Sequence, residues 1–463
     1  MDQLDLARLQ FAATSIYHFF FVPVTMGLAI LVAVLHTRWH RSGDPDLLRL
    51  TKFFGTLMLL SIAVGVVTGL VQEFQFGLDW SAYSRFVGDV FGAPLAMEGL
   101  AAFFLESTFL GLWLFGWNIL PKRVHLVTVW MIPIGACLSA LFIIAANSWM
   151  QNPRGYTIAP ATGRAQLTSI GEVFSNPVFL WGYTHVLMVA LIFGGAVMLA
   201  VSAWHLRHGN NVKLFRGTAK LGLFVLAIAS VLQFPIGGRL GINETEFQPM
   251  KIAAAEANWD TCQPCSFSVI QIGGYNQDET PTKIIEIPHL LSILATGTWD
   301  GEVQGMSEVN AQYNQQYGPG YYVPNVFIQY WAMRVMAYIG VLVLLLGVWG
   351  LWLLRRGKLE TSRRFLWVAI WAAVLPFLMN TAGWLLTESG RQPWIVQGIM
   401  LTKNGISSSV SSTSIVISLV IFVLLYGVLA TVDFMLMLKY SRQQLPPARA
   451  EADADAPVPA VQY

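Results

Sequence analysis

The sequence predicts an all-α polytopic membrane protein. It should have about nine transmembrane helices in bundles, an outside N-terminus, a cytoplasmic C-terminus and one large outward loop. Three observations carry this. Of 463 residues, 55% are hydrophobic and only 12% charged, whereas soluble domains carry about 25% charged residues. Nine apolar segments are long enough to cross a bilayer, which takes about 20 residues. Most of the 28 basic residues fall on alternate connections and after the last span, so the positive-inside rule places those connections in the cytoplasm.

In chain order the spans are expected near 14–37, 53–72, 94–117, 126–147, 178–204, 217–236, 326–354, 365–387 and 412–438. Asp2 and Asp5 precede the first apolar run, which does not suit a signal peptide. No repeat of fixed period is visible. The chain divides into helices 1–6 over 1–236, an outward loop over 237–325, helices 7–9 over 326–440 and a tail over 441–463. The tail is rich in Pro, Ala and Asp and reads as disordered. A net charge of +2 points to neither nucleic acid nor an acidic partner.

Polar groups inside apolar segments are costly and therefore candidates for function. His18 lies in the first span and His185 early in the fifth. Glu98 and Glu106 lie in the third, eight residues apart, which turns both roughly to one face. Arg334 and Met336 open the seventh, and Glu388 ends the eighth. The eighth runs into GWLLTESGRQPW over 383–394, where a carboxylate, Arg391 and two tryptophans crowd the membrane rim. An ordinary interfacial anchor is the plain reading of that rim, and Glu388 on its apolar side argues against it. With the N-terminus outside, His18, Glu98, His185, Met336 and Glu388 are expected in one layer in the outer half of the bilayer.

A lone His or Met in such a helix usually packs, but the set suits heme iron. Calcium and magnesium prefer oxygen ligands, and the zinc motif HExxH is absent. A His/Met pair makes a six-coordinate electron-transfer heme, while a single His or carboxylate leaves a position open for dioxygen. There is no CxxCH, so no thioether-linked heme is expected. In the outward loop, Lys251 and Glu256 stand five apart in a helix-competent stretch. A Lys can hold a phenolic oxygen and a Glu can take its proton. A solvated charged face is the plainer reading. Cys262 and Cys265 are expected to form a bracing disulfide, and Cys137 to pack within the fourth span.

Seven motifs then carry a family resemblance: RLQFAATSIYHF at 8–19, TGLVQEFQFG at 68–77, APLAMEGLAAFFLEST at 93–108, AANSWMQNPRG at 145–155, KIAAAEANW at 251–259, YWAMRVM at 330–336 and GWLLTESGRQPW. From about Leu6 to Tyr440 the chain resembles subunit I of the bacterial cytochrome bd-type quinol oxidases, of the short Q-loop kind. The resemblance implies two b-type hemes, one low-spin and one high-spin, together with heme d. It implies His185 and Met336 as axial ligands of the low-spin b heme and Glu388 as ligand of the high-spin b heme. His18 is implied as ligand of heme d, with the last two assignments exchangeable. Glu98 is implied beside the heme d iron as ligand or proton donor, and Glu106 as a buried acid that passes protons or balances charge. Asn147, Trp384, Arg334 and Arg391 match heme-surrounding positions, the arginines pairing with propionates or lowering the energy of reduced hemes. Lys251 and Glu256 resemble the quinol-oxidising residues. The Cys262/Cys265 pair is not general to the family.

The implied activity is a quinol:oxygen oxidoreductase of the translocase class in the bacterial cell membrane. It would oxidise menaquinol or ubiquinol at the outer face and reduce dioxygen to water without pumping. Its expected partners are subunit II and small single-span accessory subunits, with no nucleic acid. A proton-coupled transporter and an electron-relay cytochrome that does not reduce oxygen are the competing classes. The first lacks a reason for Met336 and the GRQPW rim.

Overall fold

The computed structural model describes residues 2–446. Among them are nine helices long and apolar enough to cross a membrane. These are α1 (Gln3–Ser42), α2 (Pro45–Leu78), α3 (Ser81–Phe115), α4 (Lys122–Gln151), α5 (Pro177–Arg207), α6 (Val212–Phe247), α7 (Val326–Arg355), α8 (Arg363–Gly390) and α9 (Ser412–Ser441). Eight of the nine expected spans lie within one of them, and the third, 94–117, overruns α3 by two residues because the helix ends at Phe115. Most of the expected tail, 447–463, falls outside the described residues.

The helices run past the apolar segments because backbone hydrogen bonding does not stop where hydropathy does. Local chemistry ends them. Asp2 caps α1 by accepting from the Asp5 amide, and Gly43 closes it at φ +68° with its N–H on the Trp39 carbonyl. Asp44 then caps α2, with Pro45 at its first position. The resulting turn makes α1 and α2 an antiparallel hairpin. Asn176 followed by Pro177 starts α5 in the same manner.

The outward loop was expected from 237, but α6 stays helical to Phe247, so the loop proper begins at Gln248. It is built rather than irregular. It holds a short helix Pro249–Ala255, a hairpin of Phe267–Ile272 with Thr282–Ile287, and helices Leu290–Thr296 and Met306–Tyr317. Cys262 and Cys265 are joined by a disulfide, as expected, and Cys137 is a half-buried free thiol.

The center of the bundle is closed by small residues. A Cβ on Gly194 of α5 would lie 2.5 Å from the Gly27 carbonyl carbon of α1. One on Gly195 would lie 2.7 Å from the Gly222 carbonyl oxygen of α6. Thus α1, α5 and α6 meet backbone to backbone, the usual way for helices to associate where lipid removes the hydrophobic drive. We predict that Gly194→Leu lowers the thermal unfolding midpoint of the purified complex by the equivalent of about 3 kcal/mol, an overpacking cost. Gly427→Leu, in open space on α9, should leave it unchanged. Equal midpoints for both variants would contradict this account of the packing.

Candidate functional site

The two acids of α3 depend on a break in regular helix. Residues Glu98–Phe103 form a π-helical turn inside α3. In an unbroken α-helix eight residues leave an offset of about 80°. One extra residue in a π-turn removes about 100°, so the two carboxylates align to within about 20°. Both face α4. Ser139 donates to Glu98 Oε1 at 2.6 Å, and a Cβ on Gly135 would lie 3.0 Å from Glu106 Cβ. Gly135 and Ser139 are one turn apart on one face of α4. Glu98 Oε2 is buried without a partner among the described residues.

Glu388 also meets α4. Asn147 donates to its Oε1 at 2.7 Å, and Arg391 to its Oε2 at 2.6 Å. From Gly135 through Ser139 to Asn147 is about 18 Å along the helix. Glu106, Glu98 and Glu388 therefore form a ladder on α4. Of the groups expected in one layer, Glu98 and Glu388 meet α4 at Ser139 and Asn147, about 12 Å apart along its axis.

The three soft donors share one surrounding. A Cβ on Gly69 would lie 3.1 Å from His18 Cε1, one on Gly237 3.4 Å from His185 Cε1, and one on Gly383 3.1 Å from Met336 Sδ. Each donor thus packs directly against a glycine of a neighboring helix, at a place where a larger side chain would crowd it. The His18 Nδ1 lies 3.0 Å from the Thr68 hydroxyl, which fixes the ring's orientation. The Gln233 amide nitrogen lies 2.9 Å and 3.1 Å from the two His185 ring nitrogens. Met336 packs against the same buried cluster, which includes Ile192, Val343 and Met379, as Met188 and Leu191 of α5. Trp384 stacks on Phe19 with ring centroids 4.3 Å apart, and Asn380 donates to the Phe19 carbonyl. So α8 touches α1 next to His18, α7 at Met336 and α4 at Asn147. Imidazole and thioether donors set against glycines, together with the Glu388 carboxylate, are a donor set that fits heme.

The loop residues are not a solvated face. Lys251 is 1% exposed, Glu256 2% and Arg334 0%. Lys251 Nζ donates to Gln151 Oε1 at 2.7 Å and pairs with Glu244 at 3.1 Å. Burial pushes its pKa down, and Glu244 opposes this. Glu256 pairs with Arg334 at 2.7 Å, and burial raises its pKa against the pull of that guanidinium. Glu256 Oε1 has no partner among the described residues.

The two arginines part company here. Arg334 was expected to face a propionate. Its N–H groups instead go to Glu256 and to the carbonyls of Ala255 and Ser268, and its guanidinium lies 3.8 Å from the Tyr330 ring center. It ties the loop to α7. Arg391 keeps Nε and one terminal nitrogen buried and unpartnered, which still suits an anionic group. It lines a cavity of about 10 Å³, a single water's room, with Gln248, Lys251, Tyr313, Tyr322 and Trp394. Sequence reasoning missed Ser139, Gln233, Gln151 and Glu244. The first two are polar residues within apolar spans, which was the available clue.

With this geometry in place, similarity to known proteins is informative. The family model of cytochrome bd terminal oxidase subunit I matches residues 6–445. The chain belongs to this family. It is 41% identical to cytochrome bd ubiquinol oxidase subunit 1 of Bacillus subtilis (strain 168), over 95% of this chain and 93% of that protein. It is 35% identical to cytochrome bd-II ubiquinol oxidase subunit 1 of Escherichia coli (strain K12), over 95% and 96% respectively. The solved bd oxidase of Geobacillus thermodenitrificans superposes with a TM-score of 0.86 at 28% identity, covering 95% of this chain and 98% of that one. The protein is therefore a multi-pass subunit of a terminal oxidase in the bacterial cytoplasmic membrane, and the transporter reading falls.

Arg334→Ala should strand the buried Glu256 carboxylate at a cost of about 3–5 kcal/mol. We expect faster proteolysis within 257–325, and no rescue by Arg334→Lys, since an ammonium does not reproduce the planar fork. Unchanged cleavage rates in Arg334→Ala would show that the loop is held by other contacts.

Proposed function

We propose that this chain is the quinol-oxidising and oxygen-reducing subunit of its complex, a quinol:oxygen oxidoreductase of the translocase class. One observation carries the reading. In a chain of the bd family, each soft donor that the sequence singles out, His18, His185 and Met336, faces a glycine of a neighboring helix. His185 and Met336 would hold a low-spin b heme, Glu388 a high-spin b heme and His18 a heme d, the last two being exchangeable. When bound, these groups supply stepwise electron transfer and a position at which dioxygen is reduced to water.

The protein's own part begins at the loop. Lys251 has three N–H bonds, and Gln151 and Glu244 take two of them. The third is directed to a quinol oxygen. Glu256, whose pKa is raised by burial, takes the quinol proton through Oε1, since a base works best when its pKa approaches the working pH. Arg334 keeps that carboxylate in place.

On the opposite side of the reaction, Glu106 and Glu98 meet α4 at Gly135 and Ser139, which are one turn apart. They deliver protons from the cytoplasm, and the unpartnered Oε2 of Glu98 holds the last one. The basic connections set the N-terminus outside, so quinol protons leave outward and those for water enter from the cytoplasm. That asymmetry stores energy without a pump. Subunit II and small single-span subunits are the proposed partners. The exposed apolar side chains Leu100, Phe103, Phe104 and Phe115 on α3 suit such a membrane contact.

The test is a reduced-minus-oxidised absorption spectrum of the purified complex, with and without carbon monoxide. A red chlorin band that responds to carbon monoxide, beside b-heme bands, is expected. A spectrum free of heme would sink the proposal, and b-heme bands insensitive to carbon monoxide would reduce the protein to an electron relay. Glu98→Ala and Glu106→Ala should each lower quinol-driven oxygen consumption by about 100-fold, the scale of a lost proton donor. Full consumption with a normal spectrum in both would remove these acids from the mechanism.

A further inference from the structure

Lys251 and Glu388 are joined by an unbroken run of side-chain hydrogen bonds. Lys251 Nζ donates to Gln151 Oε1 at 2.7 Å. Gln151 Nε2 donates to Asn147 Oδ1 at 2.8 Å. Asn147 Nδ2 donates to Glu388 Oε1 at 2.7 Å, and Arg391 closes the other carboxylate oxygen at 2.6 Å. Gln151 and Asn147 sit one turn apart at the end of α4. The Gln151 backbone carbonyl also accepts from Gln248 Nε2 at 2.9 Å, tying the same residue to the first turn of the loop.

The sense of this run is uniform. Every donor points from the lysine toward the carboxylate. A side-chain amide does not readily give up its N–H proton near neutral pH, so the run is a poor proton wire. It is a row of aligned dipoles. Each carbonyl end faces the Lys251 cation and each NH₂ end faces the Glu388 anion, so both charges favor the same orientation. Hydrogen bonds in series in a buried setting polarise one another.

We propose that Gln151 is a positioning residue that couples the quinol site to the Glu388 site. It holds the Lys251 ammonium at the cavity and, through Asn147, sets the direction of the Glu388 carboxylate. A change at the loop cation is thereby felt at the carboxylate. This rests on the quinol and heme roles proposed above, and it adds a residue and a linkage to them.

The test uses the assembled oxidase carrying Gln151→Leu, a substitution of similar size that removes both amide contacts. The expected result has two parts. The KM for menadiol, a naphthoquinol without an isoprenoid tail, rises about tenfold with a smaller change in kcat, the scale of one hydrogen bond to a charge. The absorption band and midpoint potential of the heme beside Glu388 shift, while the low-spin bands of the His185/Met336 heme do not. Gln151→Glu separates the two arms. It keeps an acceptor for Lys251 and loses the donor to Asn147, so KM should recover while the heme band stays shifted. Unaltered KM and unaltered bands in Gln151→Leu at full heme content would overturn the coupling. If Gln151→Leu does not assemble, an unshifted band in Gln151→Glu overturns it. In the unmodified complex, menadione should perturb the same band, and no perturbation would equally overturn it. A parent complex that lacks that heme, or does not oxidise menadiol, would instead defeat the functional reading on which the coupling rests.

Discussion

A charge placed at or below the rim of a membrane must be answered by another group close by, and the site of this protein is organised around that constraint. Glu388 is held by Asn147 and Arg391. Glu256 is held by Arg334, and Lys251 by Glu244 and Gln151. An unpaired charge in such surroundings costs several kcal/mol, so these partners are conditions of folding as much as of chemistry. Each pairing also ties separate parts of the chain together. Arg334 binds the loop to α7, Asn147 binds α8 to α4, and Lys251 binds the loop to α4 and α6. Charge neutralisation is therefore what fastens the loop between α6 and α7 to the bundle.

Close helix approach is the second device. Gly27, Gly194, Gly195 and Gly222 bring three helices backbone to backbone. Gly69, Gly237 and Gly383 let a candidate ligand side chain pack directly against the backbone of a neighboring helix. The same residue type thus serves both the closing of the bundle and the seating of these side chains. The π-turn at Glu98 belongs with these features, since it turns two carboxylates to one neighbor at the cost of regular helix geometry.

Much of the site could be read from isolated residues. A charge or imidazole in an apolar run is costly enough to be conspicuous, and His18, Glu98, Glu106, His185 and Glu388 stood out for that reason. Lys251 and Glu256 were ambiguous, because a Lys and a Glu five apart look the same on a wet surface as in a sealed one. Glu256 is paired by Arg334 of α7 and Lys251 is held by Gln151 of α4, partners that lie far from them in sequence. The partners of Arg334 were not legible, because its type says only that it seeks an anion or carbonyls, not which ones.

The sequence by itself determined the membrane class, the nine helices, the family and the identity of the ligand-competent groups. These follow from properties that each segment carries alone, its hydropathy, its length and its motifs. The tertiary structure decided which groups meet. It set the ladder of acids on α4, the glycine beside each soft donor, the saturation of Arg334 and the run from Lys251 to Glu388. Those facts depend on helix rotation and relative height, which arise from packing between segments distant along the chain. A polar amide such as Gln151 at a helix end looks ordinary in sequence. It acquires a role only when folding brings Lys251 to one end of its amide and Asn147 to the other.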